Sequence, residues 1–169
     1  KGMKSENQCS EEGIHLTVHP NRLIRHVDKR LMSYNIEMTE VTGGTFWKSY
    51  TREQIAGTAE FPSVTSFTDV TAMPELMEHY PPIDLYNKRL RALTKALGPA
   101  WIRVSGTWAT KTYYDFEGVT GGKAPAGYSN VLTREQWMGV LDFAAYVGAK
   151  LLISVSNCAG DTLMGDRWS

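Results

Sequence analysis

Neither sign of charge is in excess in this sequence: 18 Lys and Arg stand against 18 Asp and Glu. A nucleic-acid binder would carry a basic stripe, so nucleic acid is not an expected partner. An acidic polysaccharide stays open, because a local basic groove can sit on a neutral protein. No apolar run approaches the roughly 20 residues that span a bilayer, and no membrane span is expected. Cysteine is scarce. Cys9 and Cys158 are the only two, and sequence alone leaves a disulfide and two free thiols equally open. Histidine is also sparse, and no Cys/His spacing supplies the three or four convergent ligands a metal site needs. His15 and His19 are four apart, but in a stretch that alternates like a strand. No Ser/His/Asp arrangement is supported. The Gly43-Gly44 and Gly121-Gly122 pairs lack the spacing of a phosphate-cradling loop, so no cofactor is expected.

What is present is enough apolar residue, 42% of the 169, for a real core. Lys1 to Gly13 reads as a loose polar tail. Ile14, Leu16 and Val18 alternate with His15, Thr17 and His19, which predicts a short strand. Leu31 to Met38 (LMSYNIEM) predicts a second, with Met32, Tyr34, Ile36 and Met38 on one face. Val41 to Tyr80 reads as a long connection, with helical turns near Arg52–Ile55 and Pro74–Glu78. Asp84 to Leu97 predicts a helix, its apolar stripe made by Leu85, Leu90, Leu93 and Leu97, with Lys88, Arg89, Arg91 and Lys95 solvated. Gly98 and Pro99 stop it. Trp101 to Ser105 (WIRVS) is a strand. Gly106 to Asn130 reads as another long loop, with Asp115 and Glu117 solvated. Thr133 and Gln136 form a capping box at the start of a second helix to Val147, with Val140, Leu141, Ala144 and Val147 inward and Trp137 completing the stripe. Leu151 to Ser156 (LLISVS) is a further strand, followed by a polar tail.

The second half repeats a strand–helix unit, which argues for parallel strands with crossover helices and an α/β class. Each later strand has one apolar and one polar face. The polar sets are Ser33, Asn35 and Glu37; Arg103 and Ser105; Ser154 and Ser156. They crowd toward the C-terminal strand ends, where barrel enzymes keep their active sites. Arg103, in mid-strand, is expected to be buried and to need a carboxylate. Two readings stand: a structural ion pair with Glu37, or an arginine that keeps a catalytic carboxylate ionised. Glu37 and Glu40 are expected to face opposite sides and not to form an acid/base pair.

Three blocks carry a resemblance: SYNIEMTEVTGGTFWK (Ser33 to Lys48), PPIDLYNKRLRALTKALGPAWIRVSGTW (Pro81 to Trp108) and LTREQWMGVLDFAAYVGAKLLISVS (Leu132 to Ser156). Together they are similar to bacterial members of glycoside hydrolase family seventy-nine, the heparanase and β-glucuronidase family. The resemblance implies a partial (β/α)8 TIM barrel over residues 31–169, whose strands one to three are Leu31–Met38, Trp101–Ser105 and Leu151–Ser156. It also implies that residues 14–30 give a strand to a β-sandwich domain, behind a flexible tail at 1–13. Family members hydrolyse β-linked glucuronic acid with retention, using two Glu carboxyls about 5–5.5 Å apart. By the resemblance both are expected beyond Ser169, on the remaining part of the barrel, and none in this chain.

Carried over by position, Glu37 matches an acidic residue that contacts sugar hydroxyls. Arg103 matches the arginine beside the nucleophile and would orient it. Thr107 and Trp108 match a substrate-touching loop. Asn35, Ser105 and Asn157 sit close by, as substrate contacts or as polar filler. The implied activity is endo-cleavage of heparan sulfate or a related glycosaminoglycan by a secreted, periplasmic or lysosomal hydrolase. The alternatives are an exo-β-glucuronidase or hyaluronidase, and a non-catalytic truncated barrel that binds carbohydrate or a partner. Lys48, Arg52, Lys111 and Lys123, in the two long loops, are candidates for meeting sulfates or carboxylates.

Overall fold

The computed structural model describes residues 13–61, 75–156, 159–160 and 162–168. At its centre is a three-stranded parallel sheet made, in this order, of Tyr34–Glu37, Trp101–Ser105 and Lys150–Ile153. Strand β1 is Tyr34–Glu37, and a short helix α1, Met38–Thr42, follows directly. An antiparallel pair comes next, β2 (Gly44–Trp47) with β3 (Met77–Tyr80), and between them lies the one-turn helix α2, Arg52–Ile55. Helix α3, Lys88–Ala96, leads into β4, Trp101–Ser105. A second small parallel sheet joins β5 (Thr112–Asp115) to β6 (Asn130–Thr133). Helix α4, Arg134–Val147, then leads into β7, Lys150–Ile153, and α5 spans Thr162–Trp168.

Register explains why the central sheet has two unlike faces. Tyr34 lies beside Ile102 and Ile36 beside Val104, while Ile102 pairs with Leu151 and Val104 with Ile153. Side chains alternate along a strand, so these residues share one face. Helices α3 and α4 cover it. Ile102 and Val104 are fully buried among Leu85, Val140, Phe143 and Val147. Burying an Ile or Val side chain contributes about 1.5–3 kcal/mol, so this layer anchors the fold.

Helix α4 begins with the expected capping box. Thr133 Oγ1 accepts from the Gln136 N–H at 3.3 Å, and Gln136 Oε1 accepts from the Thr133 N–H at 2.9 Å. Its buried face differs from the expected stripe: Phe143 is buried and Leu141 is exposed. Helix α3 differs more. Asn87 caps it, accepting from the Leu90 N–H at 3.0 Å, so it starts later than Asp84. Leu93 and Leu97 are 60% and 68% exposed, whereas Arg91 is nearly buried. The Arg91 guanidinium donates to the Leu85 carbonyl at 2.7 Å, pairs with Asp142 on α4, and lies over the Tyr86 and Tyr146 rings. A stem that packs while its head finds partners lets an arginine hold a helix interface. Of the expected leucine stripe, Leu85 and Leu90 pack on the core, while Leu93 and Leu97 are turned out to solvent.

Other expectations are corrected by pairing. Ile14–Val18 forms no strand: Ile14 and Leu16 are 91% and 88% exposed, and no described strand pairs with them. Alternation does not make a strand where no partner completes the ladder. The Leu31–Met38 strand is shorter, because Met38 opens α1 and is fully buried there. The Val41–Tyr80 connection holds the β2–β3 ribbon, and Met77 and Glu78 belong to its second strand rather than to a helical turn. The Gly106–Asn130 loop contains β5. Leu151–Ser156 is paired only as Lys150–Ile153. Much of the C-terminal tail is helix α5, where Trp168 packs against Tyr113 and Tyr114. Pro74, Cys9, Cys158 and Ser169 lie outside the described residues, and so does the tail up to residue 12.

Candidate functional site at the sheet's C-terminal edge

The polar face of the central sheet is the side that α3 and α4 leave open. Asn35 lies beside Arg103, and Glu37 beside Ser105. Arg103 in turn lies beside Leu152, which is 52% exposed. Strand alternation puts Asn35, Glu37, Arg103 and Ser105 on one surface. The parallel arrangement points all three C-terminal strand ends the same way, so Glu37, Ser105 and the start of the β4 loop share one rim. The structure thus brings together four of the residues expected from sequence.

Arg103 differs from expectation in its environment. It is exposed, not buried, and no ion pair joins it to Glu37; the salt bridge found among the described residues is Arg91 with Asp142. Among the described residues none covers Arg103, although Ser105 further along the same face is buried, so water solvates the guanidinium and burial imposes no partner. Glu37 still feels its field. Desolvation raises the Glu37 pKa above the ordinary carboxylate value, the neighbouring Glu40 raises it further, and Arg103 pulls it down.

Glu37 and Glu40 do not point apart. Helix α1 begins between them, and a spacing of three on a helical turn brings side chains to one side. Glu40 Oε2 accepts from the Glu37 backbone N–H at 2.9 Å. Glu40 is therefore engaged as a cap on the same turn, and not as a free acid/base partner. One oxygen of Glu37, Oε2, is buried with no hydrogen-bond partner. It lies against Gly106, the first residue after β4, whose φ is +101°. A Cβ on residue 106 would coincide with the Glu37 carboxylate.

The rest of the rim comes from the turn after β4. Thr107 is exposed, and its carbonyl accepts from Thr110 Oγ1 at 2.7 Å. Trp108 is half-buried, its ring meeting Phe46 of β2 edge-to-face at 5.2 Å, so the β2–β3 ribbon braces the loop. Ser156 Oγ donates to the Thr110 carbonyl at 2.7 Å, tying the chain beyond β7 to the same turn. Asn157 lies outside the described residues. Lys48, Arg52, Lys111 and Lys123 are exposed.

Two residues near this rim were not legible as partners in the sequence. Tyr114 is 5% exposed and donates from its hydroxyl to the Ser154 carbonyl at 2.9 Å; burial pushes its pKa up to about 12. Asp115, expected in solvent, is buried at the end of β5. It accepts from the Val119 N–H (2.9 Å), the Thr120 N–H (2.8 Å) and the Thr120 hydroxyl (2.6 Å). The Thr120 hydroxyl is the main cause of its lowered pKa. Its signal is the Asp-x-x-x-x-Thr spacing after a Tyr pair, which reads equally well as a solvated loop until the fold closes.

Among the described residues no group of three or more His, Cys, Asp or Glu is placed to hold a metal ion, and no helix is long and apolar enough to cross a membrane. No family model, no curated protein sequence and no solved structure matches this chain. The chemistry has to be read from the site. One half-buried carboxyl, one free guanidinium, an amide, hydroxyls and an indole on an open rim make a surface suited to hydroxyl-rich, partly anionic ligands.

Proposed function

We propose that this chain supplies the first three strands of a (β/α)8 barrel in a retaining β-glucuronidase of the heparanase type, and that its polar rim binds glucuronic-acid units of a glycosaminoglycan. One observation carries the reading. Three parallel strands run in sequential order, with helices on one face and Asn35, Glu37, Arg103 and Ser105 gathered on the other, toward the strand C-termini. In a closed barrel that second face is the interior, and its C-terminal end is the active-site end. In this reading Glu37 accepts hydrogen bonds from sugar hydroxyls. The Arg103 guanidinium, free of any ion pair here, holds the nucleophilic carboxylate ionised. Thr107 and Trp108 line the approach. The acid/base and nucleophile come from the remaining part of the barrel, on a further segment or a second chain. The proposed secreted, periplasmic or lysosomal location follows from the same resemblance; a β-sandwich strand within residues 14–30 would form only against the partner strand of that domain.

Glu40 does not complete a reacting pair with Glu37, because it is tied to the Glu37 backbone. The chain by itself therefore binds sugar without turning it over. The test is an NMR titration of the full chain with methyl β-glucuronide and, in parallel, methyl β-glucoside. The expected result is shift changes at Asn35, Glu37, Arg103, Thr107 and Trp108 with the glucuronide, and weaker ones with the glucoside. Equal response to both sugars, or a response confined to other residues, would sink the proposal.

A further inference from the structure

The structure assigns Gly106 as the positioning residue for Glu37: the bare Cα at the end of β4 is the wall against which the Glu37 carboxyl rests, and any side chain there turns that carboxyl off the rim. This rests on the sugar-binding reading for its consequence, but not for its geometry.

Three facts carry it. A Cβ on residue 106 would meet all three carboxyl atoms of Glu37, and nothing else comes as near. The Glu37 Oε2 on that side is buried and has no hydrogen-bond partner, so packing and not a donor fixes it. The backbone at Gly106 also takes a positive φ of 101°, which costs an L side chain free energy even without the contact. Glu37 cannot easily escape by backbone movement. Its own N–H is held by Glu40, and its Cα is in register with Ser105 on β4. Turning about the side-chain torsions is what remains, and that carries the carboxyl into water and away from the place where Asn35 and Arg103 share its face. Gly106 thereby sets the depth at which the acid is presented and, with it, the hydroxyl of the sugar it can reach.

The groups facing Glu37 are Glu40 from α1 and Arg103 from β4, and its desolvation accompanies its resting place. Displacement should therefore be visible as a return of its titration toward that of a solvated carboxyl.

The experiment compares the full chain with Gly106→Ala, using Glu37→Ala and the pair as backgrounds that carry the backbone strain without the contact. The carboxyl is the far end of a flexible side chain and turns away at little cost, so the readout is where it sits and not the melting temperature. The Glu37 carboxyl, followed by 13C NMR, should titrate at lower pH in Gly106→Ala than in the parent. An unchanged titration would overturn the assignment. If Gly106→Ala alone fails to fold, the double variant should fold; a double variant that also fails while Glu37→Ala folds would overturn it as well. Methyl β-glucuronide separates the two proposals. A shifted titration with at least tenfold weaker binding in Gly106→Ala supports both, whereas a shifted titration where the parent binds no glucuronide supports the positioning and removes the sugar reading.

Discussion

At the scale of single residues, environment rather than identity sets what the acids and tyrosines do. Asp115 and Glu37 are both carboxyls at strand ends, yet their pKa values move in opposite directions. Asp115 is lowered because three donors stabilise its charged form. Its contribution to stability is present above the ordinary carboxylate pKa and is lost as the pH falls through the lower folded value. Glu37 is raised. Folding is then hindered once it ionises, and the hindrance is relieved as the pH falls below its unfolded value. Acidification from pH 7 to about pH 3 should therefore cost the parent more Tm than it costs Asp115→Ala, and less than it costs Glu37→Ala; thermal melts across pH in the three proteins check both signs. Tyr114 offers a cleaner single-bond test. Tyr114→Phe keeps the ring that packs on Trp168 but leaves the Ser154 carbonyl without this donor, so stability should fall by about 1 kcal/mol in urea unfolding. An unchanged midpoint would mean that water replaces the hydroxyl at no cost.

Elements are decided by caps and partners more than by apolar stripes. The α4 capping box was readable because Thr133 and Gln136 act on their own backbone, within four residues. Thr133→Ala should cost about 1 kcal/mol, and Thr133→Ser should restore most of it; denaturant titration of the two variants checks this. The face of α3 was readable only in part, since Leu90 packs on the core and Leu93 does not. Its leucines suggested one stripe, but the interface with α4 formed around Arg91, which reaches the Leu85 carbonyl and Asp142 some 51 positions away in sequence. Arg91→Leu should therefore destabilise, by about 1–2 kcal/mol, even though it adds an apolar residue to a helix whose Leu93 and Leu97 are already exposed. A gain in stability from that change would show the hydrophobic stripe to be the true interface. Strands failed in the same way. β5 (Thr112–Asp115) needed β6, fifteen or more residues onward, and Ile14–Val18 had the pattern of a strand with no partner among the described residues.

For the whole molecule, the open polar face is the feature with the largest consequence. Parallel sheets are ordinarily covered on both faces, and here, among the described residues, one face leaves Asn35, Arg103 and Leu152 exposed. If a remaining barrel segment seats there, amide exchange at β1 and β7 should slow by at least tenfold when this chain is joined to that segment, and intact-mass measurement of the native protein should reveal the accompanying polypeptide. Unchanged protection would leave the carbohydrate-binding reading standing without the barrel. The sequence by itself determined the apolar and polar faces of Tyr34–Glu37 and Trp101–Ser105, the α4 cap and the α/β alternation, because alternation, helical period and capping are local and act within a few residues. Only the tertiary structure decided that Arg103 is solvated, that Asp115 is buried, that Arg91 joins two helices, and that Gly106 lies against Glu37. Each of those depends on what another segment, distant along the chain, places beside the residue, and burial, ion pairing and steric exclusion are properties of that neighbour as much as of the residue itself.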